Sequence, residues 1–239
     1  MNGYAVKTIG ERINGNSYVG RGIALGKTED GKNAACAYFI MGRSENSRNR
    51  IFEKENNVLY TKPFDKSKVT DPSLIIYAAV RQFENSLIVT NGDQTDTIYE
   101  YLANGKCFFA ALKTREFEPD NPNFTPRISG EIDFADNDFS YKMSILKSID
   151  EVGSDCVRYL FTYPSKPGLG HFIHTYVCDC NPIPTFEGEP ERISVPNDIN
   201  EFANDIWDNL DSDNKISLYV RYTNIKTLEF EDIIINKYE

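Results

Sequence analysis

The amino-acid sequence predicts a single domain of the α+β class in which β-strands predominate. Three observations support this: many short apolar segments, only a few segments with helical periodicity, and no linker, repeat or low-complexity stretch between them. The chain has 239 residues, of which 40% are hydrophobic and 13% aromatic, so it can bury a sizeable core. We therefore expect one domain over residues 1–239.

The predicted strands are rich in Ile, Val, Tyr and Phe, which favour half-buried sheet positions. They cover residues 22–26, 34–40, 74–80, 87–90, 127–134, 141–149, 157–163, 172–178, 215–222 and 228–235. Two other segments, 116–126 and 181–196, are predicted to be loops, and the first is rich in Pro, Asn and Asp. Both are long enough to cover a pocket.

Three segments are predicted to be helical, namely 95–103, 106–115 and 199–210. Gly105 is placed to end the first of these helices. The second contains a pair of phenylalanines and is short, so a strand is an alternative there. In the third, the apolar residues follow the helical period, and Asn197 or Asp198 is the expected N-cap.

Charge and cysteine content narrow the functional classes. The formal net charge of −10 and the pI of about 4.8 argue against nucleic-acid binding, although clustered arginines can still bind a small anion. The first residues do not resemble a signal peptide, and no apolar stretch reaches the roughly 18 residues that span a bilayer. With five cysteines, an odd number, free thiols in the reducing cytoplasm are expected. Cys178, Cys180 and His174 lack the spacing of a common zinc site, so no metal is expected.

One segment concentrates positive charge in this acidic chain. Arg43, Arg48 and Arg50 follow a strongly apolar strand within a Gly- and Ser-containing turn. Guanidinium groups match phosphate and amide oxygens, so the segment could be an anion-binding edge. A solvated loop with surface ion pairs is the alternative.

Four further candidates lie in or beside predicted strands. Tyr77 lies in a buried strand, where a core tyrosine with a satisfied hydroxyl is the simpler interpretation. Asn91 lies in a turn before a helix, which could bind a polar group or merely cap the helix. The 116–127 segment brings acids and Arg127 together. His171 and His174 fall on opposite faces of a strand and cannot line one pocket, and His174 is the functional candidate.

The chain lacks several motifs that would point to other chemistry. It has no G-x-G-x-x-G fingerprint, Walker loop, H-E-x-x-H or G-x-S-x-G motif. Hydride transfer, ATP-driven chemistry and serine hydrolysis are therefore not predicted.

Taken in order, a set of short motifs resembles the archaeal-type IMP cyclohydrolase family over about residues 18–192. These motifs are Gly20-Arg21-Gly22, Gly42-Arg43-Ser44, Ser47-Arg48-Asn49-Arg50, Ile76-Tyr77, Thr90-Asn91-Gly92, Thr95-Asp96, Phe117-Glu118-Pro119-Asp120, Thr125-Pro126-Arg127-Ile128 and Ile173-His174-Thr175-Tyr176. A later stretch, 181–190, is similar to the bacterial branch of the family. Cys180 stands where the family pattern has Gly.

The resemblance implies a four-layer αββα sandwich of the N-terminal-nucleophile hydrolase type, with mostly antiparallel sheets and no self-processing. It implies closure of a formamido-imidazole-carboxamide ribotide to IMP, the last step of de novo purine synthesis, without a cofactor. The implied partner is this small purine ribotide, and a homo-oligomer is compatible with the sequence.

The family's catalytic arginine, tyrosine and glutamate fall on Arg50, Tyr77 and Glu118, with Glu116 as a rival for the last. The implied substrate-binding residues are Arg43, Arg48, Asn91, Thr125, Arg127 and His174. Two other functions stay open: a non-catalytic purine-nucleotide-binding module, and an amide hydrolase that uses a thiol. Cys36 is the nearest candidate for a nucleophile released by cleavage of the chain, but it lies inside an apolar run, where a structural thiol is the simpler interpretation.

Overall fold

A computed structural model describes residues 4–69 and 75–238 of the chain. The helices are α1 (Ile9–Ile13), α2 (Glu45–Arg48), α3 (Gln94–Ala103), α4 (Phe108–Leu112) and α5 (Ile199–Asn209). The strands are β1 (Arg21–Lys27), β2 (Asn33–Met41), β3 (Ile51–Glu55), β4 (Val58–Lys62), β5 (Tyr77–Phe83), β6 (Ser86–Thr90), β7 (Arg127–Ala135), β8 (Asp138–Ser148), β9 (Cys156–Pro164), β10 (Leu169–His174), β11 (Glu191–Ser194), β12 (Lys215–Asn224) and β13 (Phe230–Asn236).

The strands form two antiparallel sheets. The first sheet has the order β11-β10-β1-β2-β12-β13, and the second has the order β3-β4-β5-β6-β7-β8-β9. In the second sheet every strand pairs with its neighbour in sequence, as hairpin connections favour. In the first sheet β1 lies between β2 and β10, with Arg21 opposite Ile40 and Gly22 opposite His174. The start of β1 therefore meets the ends of β2 and β10.

Three hydrophobic clusters show how the elements stack. One lies between the two sheets, because alternate residues such as Ile23 and Tyr38 point from the first sheet toward the second. A second joins the other face of the first sheet to α1 and α5, and Phe202 and Ile206 of α5 are buried in it. A third joins the second sheet to α3 and α4. The α+β prediction is confirmed, and the arrangement is consistent with the predicted sandwich.

Most predicted elements are present, with shifted ends. Asp198, one of the two expected caps, is the N-cap of α5, and its side chain accepts from the backbone N–H of Asn200. The predicted helix over 106–115 is a helix, but it covers only Phe108–Leu112. The predicted strand over 74–80 begins at Tyr77, and Leu74 lies outside the described residues.

Two predictions about the 172–196 region are wrong. The strand predicted to reach residue 178 ends at His174, since the chain then folds back and the Val177 N–H donates to the Pro184 carbonyl. The predicted loop over 181–196 contains β11, which pairs with β10. Strands β3 and β4 were also missed, since each has only five residues and β3 carries three exposed charged side chains. No helix among the described residues is long and apolar enough to cross a membrane.

Candidate active site

A cavity of about 370 Å³ opens where β1 and β7 begin and β2 and β10 end. Antiparallel pairing brings these strand ends together although they lie far apart in the sequence. The cavity is lined by Tyr18, Arg21, Arg43, Ser44, Asn46, Ser47, Arg50, Ile75, Glu118, Asp120, Asn123, Thr125, Tyr176 and Ile183. It therefore joins the arginine-rich segment after β2 to the Pro-rich loop before β7.

Three buried charges form the innermost part of this cavity. Arg21 is 7% exposed, Arg50 is 6% exposed and Glu118 is 5% exposed. The Nε atom of Arg21 and both Nε and one Nη of Arg50 are buried without a hydrogen-bond partner among residues 4–69 and 75–238. Buried donors without partners cost free energy, so these nitrogen atoms are suited to receive acceptors from a ligand.

The pKa values of these groups follow from burial and mutual charge. Burial raises the pKa of Glu118 above its ordinary value, although the positive charges of Arg21, Arg127 and Arg50 oppose the shift. Asp120 adds to the increase through its negative charge. A carboxylate that is held back from ionisation yet surrounded by arginines has the character of a proton acceptor.

The two arginines respond differently to the same surroundings. Burial lowers the pKa of Arg50, and the like charge of Arg21 lowers it further. Burial also acts to lower the pKa of Arg21, but the charge of Glu118, with smaller effects of nearby tyrosines, raises it overall. Arg21 is therefore the guanidinium group most strongly tied to Glu118.

A pair of tyrosines lies between the sheets beside these charges. The hydroxyl oxygens of Tyr38 on β2 and Tyr77 on β5 are 2.8 Å apart, and both rings are buried. Both hydroxyl groups interact electrostatically with Arg21 and Arg50. Burial raises the pKa of Tyr38 well above its ordinary value, so this hydroxyl stays protonated. Neither Tyr38 nor Tyr77, the predicted catalytic tyrosine, is among the residues that line the cavity, so the pair lies beside the buried arginines rather than in the cavity wall.

The loop that carries Glu118 is closed by hydrogen bonds. The Glu118 backbone N–H donates to the Thr125 carbonyl over 2.9 Å, and the Thr125 N–H donates to the Asp120 carboxylate over 2.6 Å. The Thr125 hydroxyl is also hydrogen-bonded to Asp120 and lies 2.6 Å from the Tyr176 hydroxyl. Thr125 therefore lines the cavity, as predicted for a binding residue, and its hydroxyl is already used to hold the loop.

Arg43 stands at the more open side of the cavity. Its guanidinium forms an ion pair with Asp179, donates to the Cys180 carbonyl over 3.1 Å and lies over the Tyr18 ring, 5.1 Å from its centroid. Ser44, Asn46 and Ser47 line the wall beside it. A Cβ atom on Gly42 would lie 2.7 Å from the Ser47 backbone, so the tight turn into this wall requires glycine.

Four predicted binding residues lie behind the cavity wall. Arg48 donates to the Gly42 carbonyl and to Asn214. The Asn91 side chain donates to the Pro126 carbonyl and accepts from the Ile128 N–H, which fixes the start of β7. Neither residue is among those that line the cavity.

Arg127 and His174 are likewise engaged elsewhere. Arg127 bonds Gln94 over 2.7 Å and forms an ion pair with Asp93, from where its charge still acts on Glu118. His174 Nδ1 lies 2.7 Å from the Tyr176 carbonyl, and Nε2 lies 3.8 Å from a Glu191 oxygen. His171 packs between the sheets against Tyr163, on the opposite face of β10, so the prediction that both histidines cannot line one pocket is confirmed.

The geometry distinguishes Glu118 from its rival. The Glu116 side chain is 67% exposed and faces Arg158. The Glu118 side chain faces the cavity and interacts with three arginines. Glu118 is therefore the carboxylate that a ligand in this cavity would meet.

Sequence reasoning missed several residues of the cavity and its surroundings, above all Arg21, Tyr38, Asp120 and Tyr176. Arg21, Asp120 and Tyr176 stood within the recognised motifs, so their side-chain types were a usable signal. Tyr38 lay inside an apolar strand and carried no such signal. Cys36, the candidate thiol, is buried in the core between the sheets, away from the cavity lining.

The described part of the chain contains no cluster of three or more His, Cys, Asp or Glu side chains that could hold a metal ion. Cys178 and Cys180 have their sulfur atoms 3.6 Å apart.

The fold and the site define an α+β protein with two packed antiparallel sheets. Its cavity lies at the strand ends and contains a buried carboxylate and two buried guanidinium groups. The family model described as IMP cyclohydrolase-like protein matches residues 18–227. The chain belongs to this family.

Named relatives agree with the family match. An IMP cyclohydrolase of Methanopyrus kandleri is 31% identical over 184 residues, which cover 71% of this chain and 89% of the relative. An IMP cyclohydrolase of Methanococcus aeolicus is 28% identical over 67% of this chain and 75% of the relative. One of Methanocaldococcus jannaschii is 31% identical over 48% of this chain and 57% of the relative.

Proposed function

We propose that this chain is an enzyme, an IMP cyclohydrolase that closes the formamido-imidazole-carboxamide ribotide to IMP with loss of water in purine biosynthesis. One observation carries the proposal beyond the family match. A buried carboxylate, Glu118, faces two guanidinium groups inside a cavity, and buried nitrogen donors of both groups have no partner in the described part of the chain. The reaction requires a proton acceptor for the amide nitrogen and hydrogen-bond donors for the oxygens that gain negative charge, and these groups supply both.

The reaction joins two groups on one ring. The carboxamide nitrogen attacks the formyl carbon, and the electron pair of the formyl C=O bond moves to its oxygen. Glu118 accepts a proton from the carboxamide nitrogen, and Tyr77 donates one to the formyl oxygen, while Arg50 stabilises the charge that develops there. The hydroxyl then leaves with the proton of the formamido nitrogen as water, which forms the C=N double bond of the new ring. The proton that Glu118 accepted returns to Tyr77, which restores both groups.

The cavity also suggests how the substrate is oriented. The reacting groups lie at the inner end, where burial strengthens each electrostatic interaction. The 5′-phosphate lies at the open side, where Arg43 is half exposed and Ser44 and Ser47 offer hydroxyl groups. Arg48 and Arg127 are less suited to this role, because neither side chain is among the residues that line the cavity. Holding both ends of the ribotide fixes the attacking conformer, which lowers the barrier of such an intramolecular step.

Asn91, Arg127 and His174 act indirectly in this proposal. Asn91 and Arg127 hold the start of β7 and the charge around Glu118, and His174 holds the turn that carries Tyr176. We further propose that the fold is the four-layer αββα sandwich of the N-terminal-nucleophile hydrolase type, that residues 1–239 form one domain, and that the enzyme works in the cytoplasm. A homo-oligomer is compatible with this arrangement.

The test is absorbance of the purified protein with the formylated ribotide, followed for IMP formation. Turnover that collapses in Glu118→Gln and Tyr77→Phe would support the proposed roles. Arg81→Met is a matched control, because Arg81 pairs with Asp96 outside the cavity and should leave turnover unchanged. Folded protein that binds IMP without turnover would instead support a nucleotide-binding module, and inactivation that tracks modification of Cys36 would support a thiol hydrolase.

A further inference from the structure

Arg21 is a buried charge at the inner end of the cavity to which the proposed reaction has not yet given a role. It is the first residue of β1, and it stands opposite Ile40 in the pairing of β1 with β2. Its backbone N–H donates to the Thr175 hydroxyl and its carbonyl accepts from the Thr175 N–H, whereas the side-chain Nε is buried without a partner among the described residues. Gly20 has φ +77, and a Cβ atom there would lie 2.6 Å from the Tyr176 ring, so the turn that leads into Arg21 requires glycine.

We propose that Arg21 is a second catalytic guanidinium, which binds the oxygen of the substrate's carboxamide while Arg50 serves the formyl oxygen. This inference rests on the proposed function. Deprotonation of an amide nitrogen shifts negative charge onto the amide oxygen as the new C–N bond forms. A donor fixed at that oxygen before the reaction stabilises the charge without reorganisation.

The electrostatic surroundings assign the two arginines to different oxygens. Glu118 receives the proton from the carboxamide nitrogen, and the carboxamide oxygen is two bonds from that nitrogen. Of the arginines that act on Glu118, Arg21 has the largest effect and Arg50 the smallest. Arg21, whose charge acts most strongly on Glu118, is thus suited to bind the carboxamide oxygen, and Arg50 acts with Tyr77 on the formyl oxygen.

The product retains this pattern and gives a probe that does not depend on turnover. In IMP, the 6-oxo oxygen is the former carboxamide oxygen, and the N1–H group is the former carboxamide nitrogen. IMP therefore accepts from Arg21 and donates to Glu118. AMP has an amino group at position 6 and an acceptor at N1. Its amino group would therefore place a donor against the Arg21 donor, and its N1 would place an acceptor against the Glu118 carboxylate. Arg21 should thus select 6-oxo over 6-amino purine nucleotides.

The experiment compares wild type, Arg21→Met, Arg21→Lys and the control Arg81→Met by calorimetry with IMP and AMP. Wild type and Arg81→Met should prefer IMP by at least about tenfold, and Arg21→Met should lose most of this preference, since an unpaired donor is what rejects the wrong nucleotide. The same variants are assayed for ring closure across pH. Arg21→Met should lower kcat/KM about 10²- to 10³-fold, as loss of a charge-stabilising donor does elsewhere.

The pH profile separates this role from packing. Arg21 opposes the increase in the pKa of Glu118, so Arg21→Met should move the acid limb of kcat/KM to higher pH, and Arg21→Lys should restore much of it. If Arg21→Met does not fold, Arg21→Gln carries the same comparison. A shift that Arg81→Met shares would overturn the inference.

The outcomes distinguish the inference from the proposed function. Wild type without ring closure, but with an IMP preference that disappears in Arg21→Met, would refute the cyclohydrolase proposal and keep the binding role of Arg21. Ring closure by wild type with the IMP preference and acid limb unchanged in Arg21→Met would overturn the role of Arg21 alone. Wild-type protein with equal affinity for IMP and AMP, or none for either, would also overturn it.

Discussion

Removing either hydroxyl group of the Tyr38–Tyr77 pair should destabilise the protein. Removing both should cost less free energy of unfolding than the sum of the two single losses. The two oxygens are 2.8 Å apart and both side chains are buried, so each hydroxyl depends on the other. Tyr38→Phe leaves the Tyr77 hydroxyl without this partner, which costs about 1–3 kcal/mol. At roughly 2–4 °C per kcal/mol for a chain of this size, Tm should fall by about 2–12 °C.

The double variant is the sharper test of this reasoning. Tyr38→Phe/Tyr77→Phe removes both polar groups at once, and replacing both partners by apolar groups of the same shape is close to neutral. The loss in its free energy of unfolding should therefore be smaller than the sum of the two single losses by about 0.5–3 kcal/mol. Urea unfolding of wild type, the two single variants and the double variant measures this difference. Additive losses within about 0.3 kcal/mol would refute the interaction between the two hydroxyl groups.

Three further results are expected. Burial raises the pKa of Glu118, and only its ionised form accepts a proton, so ring closure should decline as pH falls through a pKa above the ordinary 4.5. Asp120→Asn removes a negative charge and should move this acid limb of the pH profile to lower pH. An unmoved limb would contradict the assignment of Glu118. Gly92→Ala should lower the free energy of unfolding by about 1.5–3 kcal/mol, because the new Cβ would lie 2.4 Å from an Nη of Arg127 and displace its charged hydrogen bond, and a Tm equal to wild type would argue against this contact. Burial raises the pKa of the Cys36 thiol to about 12, so iodoacetamide should leave Cys36 unmodified in peptide maps of the folded protein. Cys36→Ala should keep the turnover of wild type. Loss of turnover in this variant would favour the thiol hydrolase.

Local sequence patterns were sufficient for most of the fold. Strands β1, β2, β6, β7 and β12 carry apolar runs that predict them within one or two residues of their ends. The amphipathic pattern and the cap of α5 lie within one short segment, so the sequence predicts them directly. Strands β3 and β4 were not predicted, since each has only five residues and is stabilised by pairing with its neighbouring strands.

The sequence by itself determined the family, the α+β class and the group of residues from which the site is built. Arg43, Arg50, Glu118 and Thr125 were candidates from residue type and motif order, and the fold brings all four to one cavity. Their catalytic and binding roles remain predictions.

Only the tertiary structure decided which groups face the cavity and which support it. Asn91 and Arg127 share motifs with the cavity residues, yet their side chains bond to Pro126 and Gln94 behind its wall. Tyr38 stands opposite Tyr77 because two sheets pack face to face, which nothing within either strand encodes. Hydrogen bonds and burial depend on segments far apart in the sequence, whereas motif and periodicity report only on near neighbours. The charged interior of this site is therefore a property of the strand pairing, and it appears only when the sheets are assembled.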